Sequence, residues 1–490
     1  MRFTMTRLIT SALIAAPLVV AVPAVAQGPA PAAAAKPNIV LIYTDDQRAD
    51  EIWVMSRLQE LLIDQGTTFA RAYSAYPLCC PARASILTGQ YAHNHGVLGN
   101  ASTDHPLGGW EAFDETSTVA TWLDDAGYQT AYVGKYLNKY ATSRPVASPP
   151  GWDDWNAITV GGDFFSTKML QNGVKRQYDG IYQTDLLTDI TVDIISERVP
   201  QAEPLFLVTS FYGPHSGTPV ESDDPINTLG IQMQTTVPAP RHRDAFADLE
   251  LPRDDPSFNE ADVSDKASEV RDRKLLSPQL QEAMTEAYQQ RLESLLSVDE
   301  GIGRIVDALA ASGELANTII AFTSDNGFMQ GEHRIHAGKA FPYEAGISVP
   351  IVVRGPGFPV GGIRDQPVSL VDLAPTFAGL AGATPTLVVD GKSLVPLARD
   401  PQTWADRPIL MMVGPRSLTG PNHWTAVRAK QWMYIEYHET DEVELYDMVA
   451  DPYQLNNLAG NPSYSTVQAR ARAMLDRLRD CSGAECRRFN

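Results

Sequence analysis

The chain has 490 residues, of which 44% are hydrophobic and 20% are charged, so it is long enough to bury one large core and a smaller attached one. Its formal net charge of −20 argues against a nucleic-acid binder, because such proteins neutralise phosphates with basic surfaces. Its four cysteines are too few for a scaffold built on disulfides.

The N-terminus has the pattern of an export signal. Basic residues precede an apolar run over residues 8–22, and Ala24-Val25-Ala26 has the small-x-small form of a signal-peptidase site. The run is shorter than the roughly 20 residues that a membrane span needs. We therefore predict a signal peptide over residues 1–26, a Pro/Ala-rich linker over residues 27–36, and a secreted or periplasmic protein without stable membrane insertion. An uncleaved N-terminal anchor is the alternative.

Short apolar runs rich in β-branched residues predict buried parallel strands. They occupy residues 37–43, 129–133, 205–211, 318–323 and 349–353. Helical periodicity predicts the intervening helices at residues 52–62, 118–126, 186–195 and 278–311. This alternation indicates an α/β fold with helices on both faces of the sheet, in which ligands bind at the carboxyl ends of the strands.

Carboxylates follow two of these strands. Asp45 and Asp46 come directly after the first strand, and Asp325 and Asn326 follow a later one. Adjacent buried carboxylates are costly unless a cation neutralises them, and in a parallel sheet the two pairs would converge at one edge. Three carboxylates and an amide form an all-oxygen site that suits Ca2+ or Mg2+ and not Zn2+. The alternative is that Asp45 and Asp325 cap helices or turns.

Cys79 is predicted to lie at the start of a helix, because Pro81 and good helix formers follow it. Backbone N–H groups and the helix dipole favour an anion at such a position. The adjacent Cys80 is a poor disulfide partner, since a vicinal bridge strains the peptide between the two residues. A buried cysteine that caps the helix is the alternative. Cys481 and Cys486 bracket a short loop and are placed to form a local disulfide in an oxidising compartment.

Two parts of the chain depart from the α/β alternation. Residues 215–276 are rich in Pro, Asp and Ser with little periodicity, which is typical of a binding loop or lid, or of a solvated insertion. Beyond residue 384, strands are predicted at residues 408–412, 424–427 and 432–437, and a helix at 464–479. We therefore predict a main domain over residues 37–384 and a smaller α+β subdomain with an antiparallel sheet over residues 385–490.

The segment around Cys79 resembles a known family. Cys79-x-Pro81-x-Arg83, followed by Thr88-Gly89, is similar to the signature of type I sulfatases, in the alkaline phosphatase-like superfamily. In that family a formylglycine-generating enzyme oxidises the first residue of the signature to an aldehyde, whose hydrate is the nucleophile. The resemblance implies that Cys79 is this residue and that Arg83 steadies the hydrate. It also implies an alkaline phosphatase-like sandwich, with a large, mostly parallel sheet between helices in the catalytic domain.

The resemblance extends over most of the chain and implies further roles. The implied ligands of a Ca2+ ion are Asp45, Asp46, Cys79, Asp325 and Asn326. Lys135 matches a lysine that contacts hydrate and sulfate, His215 a histidine that assists the leaving group, and Lys339 a sulfate-binding lysine. Many relatives have a histidine two residues beyond the first lysine, where this chain has Leu137. We therefore expect a partner contact from elsewhere, with Asn138 as the candidate.

Several segments are most similar to the N-acetylglucosamine-6-sulfatase branch, namely residues 79–83, 91–95, 134–138 and 258–260. This resemblance implies a sulfated sugar as substrate, and the net charge favours a small molecule or a glycan end over a long polyanion. His93 and His95 are either subsite residues or packing residues beside the Cys79 helix. Residues 445–447, 451–452 and 457–458 resemble the family's C-terminal signature.

The predicted function is hydrolysis of sulfate monoesters. Lys135 and Lys339 would hold the sulfate oxygens while one hydroxyl of the hydrate attacks sulfur, and His215 would assist the departing oxygen. The second hydroxyl would then expel sulfate. One alternative is a phosphonate monoester or phosphodiester hydrolase of the same superfamily. An alternative of another class is a secreted protein that binds sulfated glycans and keeps Cys79 unmodified.

Overall fold

A ten-stranded sheet organises the chain in a computed structural model, which describes residues 36–103, 107–142, 147–199, 201–404, 407–415 and 423–488. The predicted signal peptide and residues 27–35 of the linker lie outside the described residues. The strands of the large sheet are β1 Asn38–Thr44, β2 Gly66–Phe69, β4 Gln129–Lys135, β5 Asp154–Val160, β6 Ser166–Gln171, β7 Val174–Asp179, β8 Leu205–Ser210, β9 Thr318–Ser324, β10 Ile351–Arg354 and β11 Gly362–Arg364. A small second sheet pairs β3 Ala72–Tyr73 with β12 Val368–Ser369.

The order of the large sheet is β11-β2-β10-β9-β1-β8-β4-β5-β6-β7, and its centre from β9 to β5 is parallel. All five strands predicted from apolar runs are present, as β1, β4, β8, β9 and β10. The hairpin of β6 and β7 was missed because β7 is exposed along nearly all its length and therefore carries no apolar pattern. The prediction of an α/β fold with a large, mostly parallel sheet is confirmed.

Helices cover both faces of this sheet. The helices of six or more residues are α1 Cys79–Thr88, α2 Val119–Asp125, α3 Gln183–Arg198, α4 Pro278–Ala311, α5 Leu373–Ala381, α6 Leu394–Arg399 and α7 Ser465–Leu478. Side chains alternate between the faces of a strand, so Ile39 and Leu41 of β1 pack with α1, α2, α5 and α6, whereas Val40 and Ile42 pack with α3 and α4. The active-site elements are thus held between two separate apolar cores.

The prediction of one helix over residues 52–62 is wrong. The chain instead forms a 3-10 helix at Ala49–Val54, a single α-helical turn at Ser56–Leu58 and a π-helical turn at Gln59–Ile63. The backbone N–H groups of Arg57 and Leu58 donate to the carboxylate of Asp299 on α4, at 2.8 and 2.7 Å. A distant side chain therefore caps a new helix start in the middle of the apolar pattern.

A separate antiparallel sheet lies near the C-terminus, with strands β13 Ile409–Val413, β14 Trp424–Arg428, β15 Trp432–Tyr437 and β16 Glu442–Asp447. Leu475 and Leu478 of α7 pack against it, which confirms the predicted α+β arrangement. Cys481 and Cys486 form a disulfide, as their spacing indicated. Residues from Lys36 onward form one compact unit, so the predicted domain boundary at residue 384 stays a prediction.

Residues 215–276 form an irregular segment with only two short helices, Pro225–Thr228 and Ser268–Arg271. Val237, Val263 and Val270 are buried, so the segment is packed into the fold and is not solvated along its length. Its first residues border the ends of the central strands. Among the described residues, no helix combines the length and the apolar character needed to cross a bilayer.

Candidate active site

The acidic residues after β1 and β9 meet at the carboxyl edge of the sheet. Thr44 and Ser324, the last residues of the two strands, are paired in register, so the next residues are neighbours. Asp46 has a φ of 67° and its N–H donates to Asp325 Oδ1 at 3.2 Å. The carboxylate oxygens of Asp45, Asp46 and Asp325 lie within 4.8 Å of one another and all three residues are buried. The structure therefore brings the two acidic units into one cluster.

Cys79 faces this cluster from the first position of α1. The backbone of Leu78, the residue before the helix, is extended, so the chain turns sharply into the helix at the cysteine. The thiol sulfur lies 3.3 Å from Asp45 Oδ1 and 4.0 Å from Asp46 Oδ1. Cys80, by contrast, points into the apolar core on the other side of the helix. Only the first of the two cysteines is therefore in contact with the carboxylates.

Three basic side chains neutralise the carboxylates. The ammonium of Lys135, at the end of β4, is bonded to Asp45, and that of Lys339 is bonded to Asp46 and lies 2.8 Å from the Cys79 sulfur. Arg83, on α1, donates from Nε to Asp325 Oδ2 at 2.8 Å. The three aspartates thus face one guanidinium and two ammonium groups, and Asp45 has two of these partners because Arg83 Nη2 also lies 3.5 Å from its Oδ2.

Arg83 is held on the side away from the carboxylates. Its Nη1 donates to the backbone oxygen of Lys135 at 2.6 Å and to Ser210 Oγ at 2.9 Å, and its guanidinium lies 5.0 Å from the ring centroid of Tyr43. Gly134 has a φ of 109°, and a side chain there would collide with the Ser210 carbonyl. The glycine therefore lets the ends of β4 and β8 close around the arginine.

His215 borders the cluster beside the carboxylates. Its Nδ1–H donates to the backbone oxygen of Ser216 at 2.8 Å, which leaves Nε2 facing Asp46 Oδ2 at 3.7 Å. The ring packs against Tyr212, with centroids 4.9 Å apart. Burial lowers the pKa of His215, and the attraction of the aspartates only partly opposes this shift. The ring thus presents one nitrogen to whatever occupies the space beside Asp46.

The electrostatics separate the members of the cluster. Burial alone would raise the pKa of Asp45, but Lys135, His215 and Arg83 hold it well below its usual range. Burial and the charge of Asp45 raise the pKa of Asp325 to about 6. Burial and the same charge raise the pKa of the Cys79 thiol to about 12. An unmodified thiol at this position is therefore neutral at physiological pH and a weak nucleophile.

The cluster has the donors that a hard divalent cation requires. Asn326 donates from Nδ2 to Asp46 Oδ1 at 2.7 Å, whereas its buried Oδ1 has no hydrogen-bond partner among the described residues. A buried amide oxygen without a partner is costly, and the side chain that carries it is bonded to Asp46 of the cluster. Oxygen donors within 4.8 Å of one another can share one ion at the distances typical of Ca2+. The residues present therefore fit a metal site.

Several residues singled out in the sequence lie away from the cluster. Leu137 is buried in the core, and Tyr212, not Asn138, packs against the Lys135 ammonium, at 5.0 Å from its ring centroid. His95 lies between Ser85 Oγ and the Val97 N–H, at 3.1 Å from each, and burial lowers its pKa to about 3. His93 Nε2 contacts the Cys481 carbonyl at 2.7 Å. His95 thus packs against α1, whereas the His93 ring faces the C-terminal disulfide loop.

The sequence patterns missed three residues around the cluster: Ser210, Tyr212 and Arg291. Ser210 is the last residue of β8, so the strand-end argument that found the aspartates would also have found it. Tyr212 follows two residues later. Arg291 lies inside α4 and donates to the backbone oxygen of Asp46 at 2.6 Å, and no local pattern distinguishes it from other helical arginines.

A mostly parallel sheet that gathers carboxylates, two lysines and a helix-terminal cysteine at one edge is the arrangement expected of a hydrolase of the alkaline phosphatase-like superfamily, and its acidic residues could hold a metal ion. The sulfatase family model matches residues 37–383, and a model for the C-terminal region of N-sulphoglucosamine sulphohydrolase matches residues 331–481. The chain belongs to the sulfatase family and is a sulfuric ester hydrolase.

Individual relatives agree with this assignment. The chain is 31% identical to the N-acetylglucosamine-6-sulfatase of Capra hircus, over 92% of this chain and 85% of the relative. It is 35% identical to the extracellular sulfatase SULF-1 homolog of Drosophila melanogaster over 74% of this chain, but spans only 31% of that longer protein. A solved structure of a protein in complex with its substrate D-glucosamine-2-N,6-O-disulfate has a TM-score of 0.73 at 24% identity, covering 92% of this chain and 98% of that one. This last likeness shows the shared fold.

Proposed function

We propose that the chain is a secreted, Ca2+-dependent sulfatase that acts on a sulfated sugar of the N-acetylglucosamine-6-sulfate type, with formylglycine made from Cys79 as its nucleophile. The observation that carries the proposal is the position of Cys79. Its sulfur lies at the head of α1, 3.3 Å from Asp45 and 2.8 Å from the Lys339 ammonium. An oxygen at this position would lie beside both the metal ligands and a cation.

The state of Cys79 is central to the proposal. As a thiol, this side chain is neutral and lacks the second hydroxyl group that, on losing its proton, would expel sulfate and restore the aldehyde. A formylglycine-generating enzyme would oxidise the Cβ of the cysteine to an aldehyde with loss of the sulfur, and the hydrate of this aldehyde would supply an oxygen nucleophile. Arg83, which is fully buried and fixed by Asp325 and Ser210, is placed to hold this group at the mouth of the helix.

The proposed metal ligands are the oxygens of Asp45, Asp46, Asp325 and Asn326, together with the modified side chain at position 79. Bound there, Ca2+ would supply positive charge to a sulfate oxygen and to the nucleophile. Ca2+ is favoured over Mg2+ by the family resemblance. The unpaired Asn326 Oδ1 and the crowding of three carboxylates support the site.

The remaining polar side chains would act on the sulfate group. Lys339 and Lys135 reach the carboxylates from the side of Cys79, so they are placed to hold sulfate oxygens as negative charge shifts in the transition state. His215 is oriented by its bond to Ser216, and in the imidazolium form it would donate its Nε2 proton to the departing sugar oxygen. Positioning and electrostatics are the main sources of catalysis in related group transfers.

The substrate class and location are parts of the same proposal. The relatives named N-acetylglucosamine-6-sulfatases support a sulfated amino sugar, and the net charge of −20 favours a small molecule or a glycan end. We propose that residues 1–26 are removed on export and that a catalytic domain ends near residue 384. Relatives named extracellular sulfatases support export.

Mass spectrometry of the peptide over residues 72–83 tests the proposal directly, because trypsin releases both Cys79 and Cys80 in it. In protein co-produced with a formylglycine-generating enzyme we expect an aldehyde at Cys79 and a thiol at Cys80. The Cys80→Ala variant should keep the modification, and Cys79→Ala should not acquire it. An intact thiol at Cys79 throughout the protein population would contradict the proposal and favour a glycan-binding protein.

Parallel assays separate the sulfatase from its closest rival. An aryl sulfate, an aryl phosphonate monoester and an aryl phosphodiester carry the same leaving group, so the ratio of kcat/KM values reports only the transferred group. We expect the sulfate ester to be the preferred substrate. A higher kcat/KM for the phosphonate or the phosphodiester would assign the chain to the alternative hydrolase class.

A further inference from the structure

A buried arginine on α4 reaches the acidic cluster from behind. Arg291 is 5% exposed, and its Nη2 donates to the backbone oxygen of Asp46 at 2.6 Å. Its Nε and Nη2 also donate to the two carboxylate oxygens of Glu51, each at 2.9 Å. The guanidinium is thereby fixed in a bidentate ion pair and aimed at one peptide group of the cluster.

That peptide group is the one that sets the direction of the Asp46 side chain. With a φ of 67°, Asp46 adopts the left-handed conformation that non-glycine residues avoid. Its N–H faces Asp325 and its carboxylate faces Lys339, while its carbonyl oxygen points to Arg291. Without the arginine this buried carbonyl would lose its donor, and the left-handed turn would lose the bond that offsets its strain.

The Arg291 guanidinium also contacts the loop after β9, which carries Asp325 and Asn326. Its centre lies 4.5 Å from the ring centroid of Phe328, which follows Asn326 by two residues. The Phe328 carbonyl accepts from Arg48, whose own N–H donates to Glu51 at 3.1 Å. One buried ion pair therefore braces both loops that carry the acidic residues, although Arg291 itself contacts no carboxylate of the cluster in this arrangement.

We propose that Arg291, oriented by Glu51, is a positioning residue that holds Asp46 in its ligand conformation and so sets the affinity for Ca2+. The inference rests on the Ca2+ site of the proposed function. Groups that orient metal ligands through hydrogen bonds typically change metal affinity by about 10- to 100-fold when they are removed. Lysine keeps the charge at position 291 but lacks the planar fork that pairs with both carboxylate oxygens of Glu51, so its ammonium would not be fixed in the direction of the Asp46 carbonyl.

Calorimetric titration of Ca2+ into metal-free protein tests the inference without an activity assay. For Arg291→Lys we expect the dissociation constant for Ca2+ to rise by about 10- to 100-fold. The matched control is Arg304→Lys, because Arg304 also lies on α4 and is paired with an acid, Asp189, at 2.6 Å on the surface. This control should bind Ca2+ like the wild type.

A double variant separates positioning from folding. Glu51→Gln/Arg291→Met removes both charges of the pair, so the metal-free protein should keep a thermal unfolding temperature close to that of the wild type. Its Ca2+ affinity should still be low, since the Asp46 carbonyl remains without its donor. If Arg291→Lys fails to fold, this variant carries the test alone.

The outcomes distinguish this inference from the proposal it rests on. If the wild type binds Ca2+ and either Arg291 variant binds it equally tightly, the positioning role is wrong and the metal site stands. If the wild type binds no Ca2+, the metal site is wrong and the inference falls with it. A reduced affinity in both variants, with an unchanged Arg304→Lys control, supports the inference.

Discussion

Two buried polar clusters in this molecule differ in whether the protein satisfies them. The cluster proposed as catalytic, named the catalytic cluster, is formed by Asp45, Asp46, Cys79, Asp325, Asn326, Lys135 and Lys339. The interface cluster joins residues 215–276 to the small sheet and is formed by Lys266, Glu260, Asp265, Tyr343 and Glu444. The Lys266 ammonium has three acceptors: Glu260 at 3.3 Å, Asp265 at 2.6 Å and the Leu455 carbonyl at 2.7 Å. Its three N–H groups are therefore fully used.

Burial and shifted pKa values do not distinguish the two clusters. Burial raises the pKa of Glu444 to about 7, comparable to the value of about 6 at Asp325. Glu444, however, accepts from the Ala267 N–H at 2.6 Å and from the Tyr343 hydroxyl at 3.3 Å. In the catalytic cluster the buried Asn326 Oδ1 has no donor among the described residues. The catalytic cluster thus combines an oxygen that no donor satisfies with three converging carboxylates, and this combination, more than burial, is what a cation site requires.

The largest expected effect comes from removing the nucleophile of the catalytic cluster. We expect Cys79→Ala and Cys79→Ser to lower kcat by at least about 1,000-fold when expressed with an enzyme that matures cysteine, since neither side chain can then form the hydrate. The measurement is turnover of an aryl sulfate. Because both substitutions are small, the unfolding free energy should change little.

Cys80→Ala is the matched control for these variants. Cys80 is equally buried but packs in the apolar core, so its loss should cost about 1 kcal/mol of stability and leave kcat unchanged. Near-normal turnover by a Cys79→Ser protein would contradict the assignment of Cys79, and not Cys80, as the source of the nucleophile.

His215 sharpens the comparison because its effect should depend on the substrate. For His215→Gln we expect kcat/KM to fall by about 100- to 10,000-fold with a sugar or alkyl sulfate and far less with a nitrophenyl sulfate, whose leaving oxygen needs no proton. The check is the slope of log kcat/KM against leaving-group pKa, which should be steeper in the variant. His242→Gln, in the same irregular segment, is the control. An equal loss for all leaving groups would exclude the assigned role.

The sequence could predict the site residues that lie at the ends of strands and at the start of a helix. Asp45, Asp325 and Lys135 each follow or end an apolar strand, and Cys79 precedes a proline and a run of helix formers. Parallel strands bring their carboxyl ends together whatever their separation in sequence. The family resemblance then added roles that spacing alone does not contain.

Residues whose partners are distant and set by packing could not be predicted. Arg291 meets Asp46 across 245 residues, and Asp299 interrupts the helix pattern near Leu58 from 241 residues away. Neither residue departs from an ordinary amphipathic helix. The strand β16 was missed for a different reason, since its residues were interpreted only as a family motif. Tertiary contacts override local propensity at such positions.

A substitution in the interface cluster should lower the stability of the protein and leave its activity unchanged. Lys266→Met removes a charge whose side chain is 0% exposed, so that among the described residues Glu260 keeps only its contact with His333 Nδ1, at 2.6 Å. We expect the unfolding free energy to fall by about 3–5 kcal/mol, the usual cost of breaking one side of a buried ion pair. Denaturant unfolding measures it, and kcat of the folded fraction should stay close to the wild-type value. A loss of kcat without a loss of stability would show that the two clusters are coupled.

The smallest effect is expected at His93, which lies close to α1 but belongs to neither cluster. His93→Ala removes a contact with the Cys481 carbonyl, which still accepts from Asn94 at 2.9 Å, so no buried acceptor is left unpaired. We expect a loss of about 0.5–1.5 kcal/mol in unfolding free energy, as for an ordinary hydrogen bond. The KM for a sulfated sugar should not change, because the ring faces the disulfide loop. A tenfold rise in KM would instead show that His93 is a subsite residue. Proximity to α1 would then identify substrate-binding residues better than contact with the carboxylates does.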